Sequence, residues 1–336
     1  MAKIKDAFVS RVKNAFASTS KTRASFALRI RDAFTFVSGL KYTTIRDTFA
    51  LRIKYTTRSE LLYLALASVS IVGILVFFII PYIVSIRLAL IDNIVRQNFV
   101  GLRNFTATLD NTAFRLAMGN TARFMLMSVP LNMGFALFLA IMLKQIGGIG
   151  KNVLGAFFLL PLVIPSGSVV HFWRSLFGLN GFINGLFVGE PVDWFNTEMS
   201  LFLVVIIFLW KNVGFNTILY LAGLNLIPKE YYEGAAVDGA GPVSRFRSIT
   251  LVYLMPTTFM VFLLSIIQSF QSFREIFLLT GAYPHRSLYM LQHYLNNLFT
   301  ALDYQRLSAG AHILTLGIVA LVLIMLYVQR RVLNYE

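Results

Sequence analysis

Marking every Asp, Glu, Lys and Arg leaves long uncharged windows at Leu61–Ile86, Phe124–Leu143, Asn152–Trp173, Ser248–Phe273 and Leu307–Gln329, of 26, 20, 22, 26 and 23 residues. A sixth, Met199–Leu224, is interrupted only by Lys211. A helix rising about 1.5 Å per residue needs about 20 residues to cross a hydrocarbon core of about 30 Å. The pattern therefore predicts an all-α polytopic membrane protein with about six transmembrane helices. No such window falls within residues 1–59, so no signal peptide is expected there, and Leu61–Ile86 is too long for one.

Composition agrees. Of the 336 residues, 57% are hydrophobic and 13% charged, where soluble domains carry about 25% charge. Lys+Arg outnumber Asp+Glu by 30 to 15, a formal charge of +15. Such an excess suggests nucleic acid, but its placement excludes that reading. With the N-terminus inside, the cytoplasmic pieces hold 20 bases against 9 in the outer pieces, and the acids divide 8 to 7. That is the positive-inside bias, which acts on bases. It puts both termini in the cytoplasm. Cysteine is absent, which excludes disulfides, thiolate metal sites and cysteine nucleophiles.

Three segments are expected: 1–59, a basic cytoplasmic N-terminal piece; 60–110, the first span and its outer loop; and 111–330, the main transmembrane domain. Within the first, Phe-Ala-Leu-Arg-Ile occurs at 26–30 and 49–53, and Lys-Tyr-Thr-Thr at 41–44 and 54–57. Two readings stand side by side: amphipathic helices lying on membrane lipid, or a disordered basic tail that enforces orientation.

The richest segment lies between spans four and five, Ile227 to Pro256. Pro228 suits a helix start, and Glu230 and Glu233 favour its positive end. Gly239 and Gly241-Pro242 break it. A second short element, Val243–Ile249, leads into span five. A helix–turn–helix that presents small and acidic residues outside the membrane is a docking knob, with no catalytic constellation.

This stretch resembles the EAA loop of permease subunits in bacterial ABC importers. Glu233-Gly234-Ala235 fills the first triplet, and Gly239, Ile249 and Leu251 fall at the consensus offsets. Gly234 stands where Ala is usual, and Val252 where the first Pro is usual. Asp238-Gly239-Ala240 and Ile227-Pro228 are similar to the sugar-uptake branch, that of the maltose and glycerol-phosphate permeases. The resemblance covers about residues 61–336 and implies a permease of the cell membrane that moves a sugar or oligosaccharide. It also implies a coupling helix, with Glu233, Gly234, Ala235, Asp238 and Gly239, that seats on a separate ATPase. The partners it implies are a second permease, two ATP-binding subunits and an extracytoplasmic sugar-binding protein. ATP and Mg would sit on the ATPase, and this chain would bind no cofactor and be no enzyme.

Within the spans, Asn212, Phe215 and Asn216 share one helical face beside Lys211, and Ser265, Gln268, Ser269, Gln271 and Ser272 form a polar run in span five. Two readings remain: interhelical hydrogen bonding, or a midplane sugar site, since hydroxyl-rich ligands need amides, hydroxyls and aromatic faces. On the resemblance the sugar contacts fall at Asn212, Phe215, Asn216, Ser265, Gln268 and Ser269. Lys211, costly at membrane depth, could pair with an acid of the partner permease.

Other motifs fall short. Gln145-Ile-Gly-Gly-Ile-Gly-Lys151-Asn152 lacks the first Gly and the Ser/Thr of a phosphate loop. His171, His285, His293 and His312 have no metal spacing, and Glu190, Asp193 and Glu198 flank Trp194 and Phe195 as an interfacial element would. Two alternatives are a membrane-embedded enzyme, which would need converging nucleophile, acid and base, and an importer permease for a non-sugar solute. An enzyme would turn over when purified alone.

Overall fold

The computed structural model describes residues 58–146, 148–186 and 189–333. The repeats expected within 1–57 lie outside the described residues. The chain divides into two compact units between Ile80 and Pro81. In the first, α1 (Arg58–Ile74) runs into a π-helical turn, Leu75–Ile79, and its apolar side chains from Ala65 to Ile74 are exposed, Val69 by 72%.

The second unit holds the core. Its main helices are α2 (Ile80–Ala89, which starts on the last residue of the first unit), α3 (Arg103–Asp110), α4 (Thr112–Gln145), α5 (Gly148–Val163), α6 (Ser166–Phe177), α7 (Ser200–Asn225), α8 (Lys229–Val237), α9 (Met255–Gln271), α10 (Phe273–Thr280), α11 (Leu291–Thr300) and α12 (Tyr304–Leu333). Among the described residues the only bridge pairing is Ile91 with Phe99.

Five stretches are long and apolar enough to cross a membrane: Ala65–Ala89, Thr112–Gln145, Ser200–Asn225, Met255–Thr280 and Tyr304–Arg331. Val153–Val163 with Ser166–Leu186 makes a sixth if taken as one span, but the pair is bent by 94°. The window Asn152–Trp173 is therefore not one straight helix. Pro165 caps α6 and has no N–H to extend α5, and it disfavours helical geometry at Ile164.

Two further boundaries move. α4 begins at Thr112, twelve residues before the uncharged window, because Asn111 caps it by accepting from the Ala113 and Phe114 amides. The fifth span sits at Met255–Thr280, past Arg274 and Glu275, and not at Ser248–Phe273.

α4, α7 and α9–α10 form the packed centre. At one end Phe124 of α4 meets Val204, Val205 and Phe208 of α7 and Ile276 of α10. At the other, Ala136, Ala140 and Leu143 meet Tyr220, Leu221 and Leu224, with Leu254 and Val261. Alanines on α4 let the large side chains of α7 approach. A third cluster seats Val169, Val170 and Trp173 of α6 on Leu203 and Ile207 of α7 and Leu279 of α10. Gly214 lets α7 and α5 touch closely: a Cβ there would lie 1.7 Å from the Phe158 carbonyl oxygen.

Candidate functional site: a polar layer and a coupling knob

Between the two apolar clusters the same three helices carry polar residues. On α4, Ser128 and Asn132 lie between Phe124 and Ala136; on α7, Asn212 and Asn216 lie between Phe208 and Tyr220. On α9, Ser265, Gln268 and Ser269 follow Val261. All seven are at most 9% exposed. Asn216 Nδ2 donates to Ser265 Oγ at 2.9 Å and reaches Gln268 Oε1 at 3.4 Å. These three expected residues are brought together.

The other three behave differently. Asn212 turns back on its own helix, donating to the Phe208 carbonyl at 2.9 Å, and Ser269 donates to the Ile266 carbonyl at 2.6 Å. Phe215 is half-buried. Four buried atoms in the layer have no protein partner: Ser128 Oγ, both polar atoms of the Asn132 amide, and Asn216 Oδ1. Such groups are costly to bury unpaired. Ser128 and Asn132 are not among the residues expected from the sequence, although two polar residues four apart inside an apolar window are a legible signal.

Lys211 pairs within this chain. Its Nζ donates to Glu275 Oε1, which also accepts from Ser166 Oγ at 2.6 Å. No acid from a second permease is needed to compensate it. Glu275 lies just beyond the uncharged window Ser248–Phe273, yet it falls within the span Met255–Thr280.

At the far end of α7, Pro228 caps α8, whose exposed first turn holds Glu230. Glu233, Gly234, Asp238 and Gly239 are exposed and Ala235 is half-buried. Gly239 has φ +79°, the left-handed region that glycine enters without penalty. Half-buried Tyr232 places its hydroxyl 3.0 Å from Thr250 Oγ1, and the exposed Tyr231 ring lies 5.0 Å from that of Tyr253. Lys144, ending α4, donates to the Leu224 carbonyl at 2.8 Å and stands 5.4 Å from the centre of the Tyr232 ring. Val237 and Val243 are left 88% and 80% exposed. The knob is thus anchored by aromatics on one side and open on the other.

At the opposite end of the bundle a cleft of about 650 Å³ is lined by Arg174, Asn180, Asp193, Asn196, Tyr283 and His285. Nearby, His293 is fully buried, among the rings of Phe273, Phe277 and Tyr289. Its Nδ1 accepts from the Met290 amide at 3.2 Å, so the neutral ring carries its proton on Nε2. Burial pushes its pKa down to about 4. Among the described residues no cluster of metal-ligating side chains occurs.

A helical bundle with five stretches long and apolar enough to cross a membrane, and a buried polar layer at one level, is the architecture of an integral membrane protein. The chain belongs to the family described as binding-protein-dependent transport system inner membrane component, which matches residues 147–334. It is similar to the trehalose/maltose transport system permease protein MalF of Thermococcus litoralis, at 34% identity over 63% of this chain and 74% of that one. It is also similar to the arabinooligosaccharides transport system permease protein AraP of Bacillus subtilis, at 32% identity over 76% and 82%. Among solved structures, a bacterial ABC transporter involved in the import of the acidic polysaccharide alginate shares the fold, with a TM-score of 0.71 at 21% identity. That match covers 82% of this chain and 96% of the other. This chain is therefore an ABC-importer permease of the inner membrane, a multi-pass transport subunit, and ATP hydrolysis belongs to its partner subunits.

Proposed function

We propose that this permease moves a sugar or oligosaccharide inward, and that Asn212, Phe215, Asn216, Ser265, Gln268 and Ser269 meet it. The observation that carries the reading is the buried polar layer on α7 and α9, which holds amides and hydroxyls where lipid-spanning helices are otherwise apolar. Asn and Gln offer paired donors and acceptors, the complement of sugar hydroxyls, and Phe215 offers an apolar face. The names of the two relatives support the cargo class. In the state described, Asn216 Nδ2 bonds to Ser265 and Gln268 while Asn216 Oδ1 stays unpaired. Loading then requires α7 and α9 to part and to exchange these bonds for bonds to the sugar.

The rest of the assembly follows the same reading. A second permease completes the path, an extracytoplasmic binding protein delivers the sugar, and two ATPase subunits bind ATP and Mg. Both termini are cytoplasmic, and the knob of Glu233, Gly234, Ala235, Asp238 and Gly239 docks on an ATPase. Its exposed Val237 and Val243 support that role, since isolated apolar side chains on a rigid turn suit a groove.

The test is uptake by Gln268→Ala and Asn216→Ala importers, normalised to assembled complex. Losing a buried hydrogen bond of about 1–3 kcal/mol weakens affinity roughly 5- to 150-fold. If both variants instead fail to assemble, with transport per assembled complex unchanged, the layer only joins helices and the sugar is met elsewhere.

A further inference from the structure

Three helices meet at one charged cluster inside the bundle. Lys211 of α7 donates to Glu275 of α10, and Ser166, the first residue of α6, donates to the same carboxylate oxygen. The Glu275 side chain is 5% exposed and that of Lys211 17%. A cavity of about 10 Å³ beside them is lined by Lys211, Ser272 and Glu275 together with five apolar residues of α7 and α10, and Ser272 Oγ donates to the Gln268 carbonyl at 3.1 Å. Through Ser272 the ion pair adjoins the polar layer. Lys211 also stands four residues before Phe215, so the two half-buried side chains share one face of α7.

An ammonium at this depth is costly unless compensated. Glu275 compensates it and brings the cluster to zero net charge. An uncancelled cation there would attract a carboxylate or phosphate across several ångströms of water-poor protein. The cancelled one keeps N–H groups for hydroxyls and offers an anion nothing extra. We propose that Glu275, by cancelling the charge of Lys211, keeps this path selective for uncharged saccharides. The proposal rests on the sugar reading above and adds one specificity determinant to it, Glu275, which is not among the six residues named there.

The experiment uses the assembled importer in nanodiscs, without the binding protein, whose own selectivity would mask that of the path. Maltotriose, arabinotriose and trigalacturonic acid are titrated while tryptophan emission is followed. Trp210 reports locally, because it precedes Lys211 and stacks on Phe172 with ring centres 5.9 Å apart. The native importer should bind a neutral trimer at least tenfold more tightly than the acidic one. Glu275→Gln should tighten trigalacturonic acid at least tenfold and change the neutral trimer less than threefold. The double variant Lys211→Gln/Glu275→Gln leaves no unpaired ion, so it keeps the proposal testable if the single variant does not assemble, and it should retain the native preference. Trigalacturonic acid binding the native or the double variant as tightly as the neutral trimers overturns the proposal and leaves the sugar reading standing. So does a Glu275→Gln importer with the native preference. No response to any trimer by the native importer overturns both.

Discussion

Adding one methyl group at Gly214 tests the packing directly. A Cβ there would lie 1.7 Å from the Phe158 carbonyl oxygen and 2.5 Å from its carbon, where ordinary contact begins near 3.4 Å. The shortfall, 3.4 less 1.7, is about 1.7 Å, and the obstacle is backbone, so α5 and α7 must separate. Separation loosens Phe158 from the cluster around Tyr220 and Leu224. Overpacking of this kind costs about 1–3 kcal/mol, or more, while alanine returns about 1 kcal/mol of helix propensity. A net loss near 2 kcal/mol lowers the melting temperature by about 4–8 °C for a unit of this size. Gly234→Ala is the control. Nothing lies within 4 Å of its Cβ, and it sits inside α8, so it should gain about 1 kcal/mol of local helix stability. Thermal unfolding of the detergent-purified complex reads both. A Gly214→Ala protein that melts with the native one, or matches Gly234→Ala, refutes the close contact.

Other outcomes are expected. Gly239→Val meets no atom within 4 Å but forces a side chain into φ +79°, costing about 1–2 kcal/mol; the protein should insert normally while hydrolysis no longer drives uptake, and normal uptake would count against docking. His293 has its folded pKa below the ordinary value, so its neutral form is favoured in the folded state. Stability is fully present above about pH 6.5 and is lost as pH falls toward 4. Between pH 7 and pH 5 the native protein should lose about 2 kcal/mol that His293→Gln does not lose, and an equal loss in both would refute the assignment. Cysteines placed singly at Ser244 and Thr197, in a chain without any, should react with an impermeant maleimide from opposite faces of the membrane.

Much of the fold is legible from residues that act locally. Pro228 and Gly239 start and stop α8 because each restricts or frees its own backbone. The uncharged windows mark the spans because lipid excludes charge. What stayed hidden depends on partners distant in sequence. Glu275 reads as a loop residue until Lys211, 64 positions earlier, is seen beside it. The bend at Pro165 stays hidden for a different reason: proline is uncharged and so does not interrupt an uncharged window. In the candidate site, the amides and hydroxyls of α7 and α9 were visible, but not that Asn216 would close on Ser265, nor that α4 would bring Ser128 and Asn132 to the same level.

The clamp beneath the knob has a mechanical consequence. α8 is tied at its tyrosines to Thr250 and Tyr253, just before α9, and Lys144 joins that same patch to the end of α4 and to the last turn of α7. Three helix ends thus share one rigid fulcrum. If the knob is pushed at Val237, these contacts would pass the push to α4, α7 and α9 together. Those helices also carry the polar layer, so a displacement of the knob by an ångström tilts the layer's walls and need not bend the connecting loop. Cutting the Tyr232 hydroxyl contact would add compliance at the fulcrum and shorten the stroke delivered for the same push.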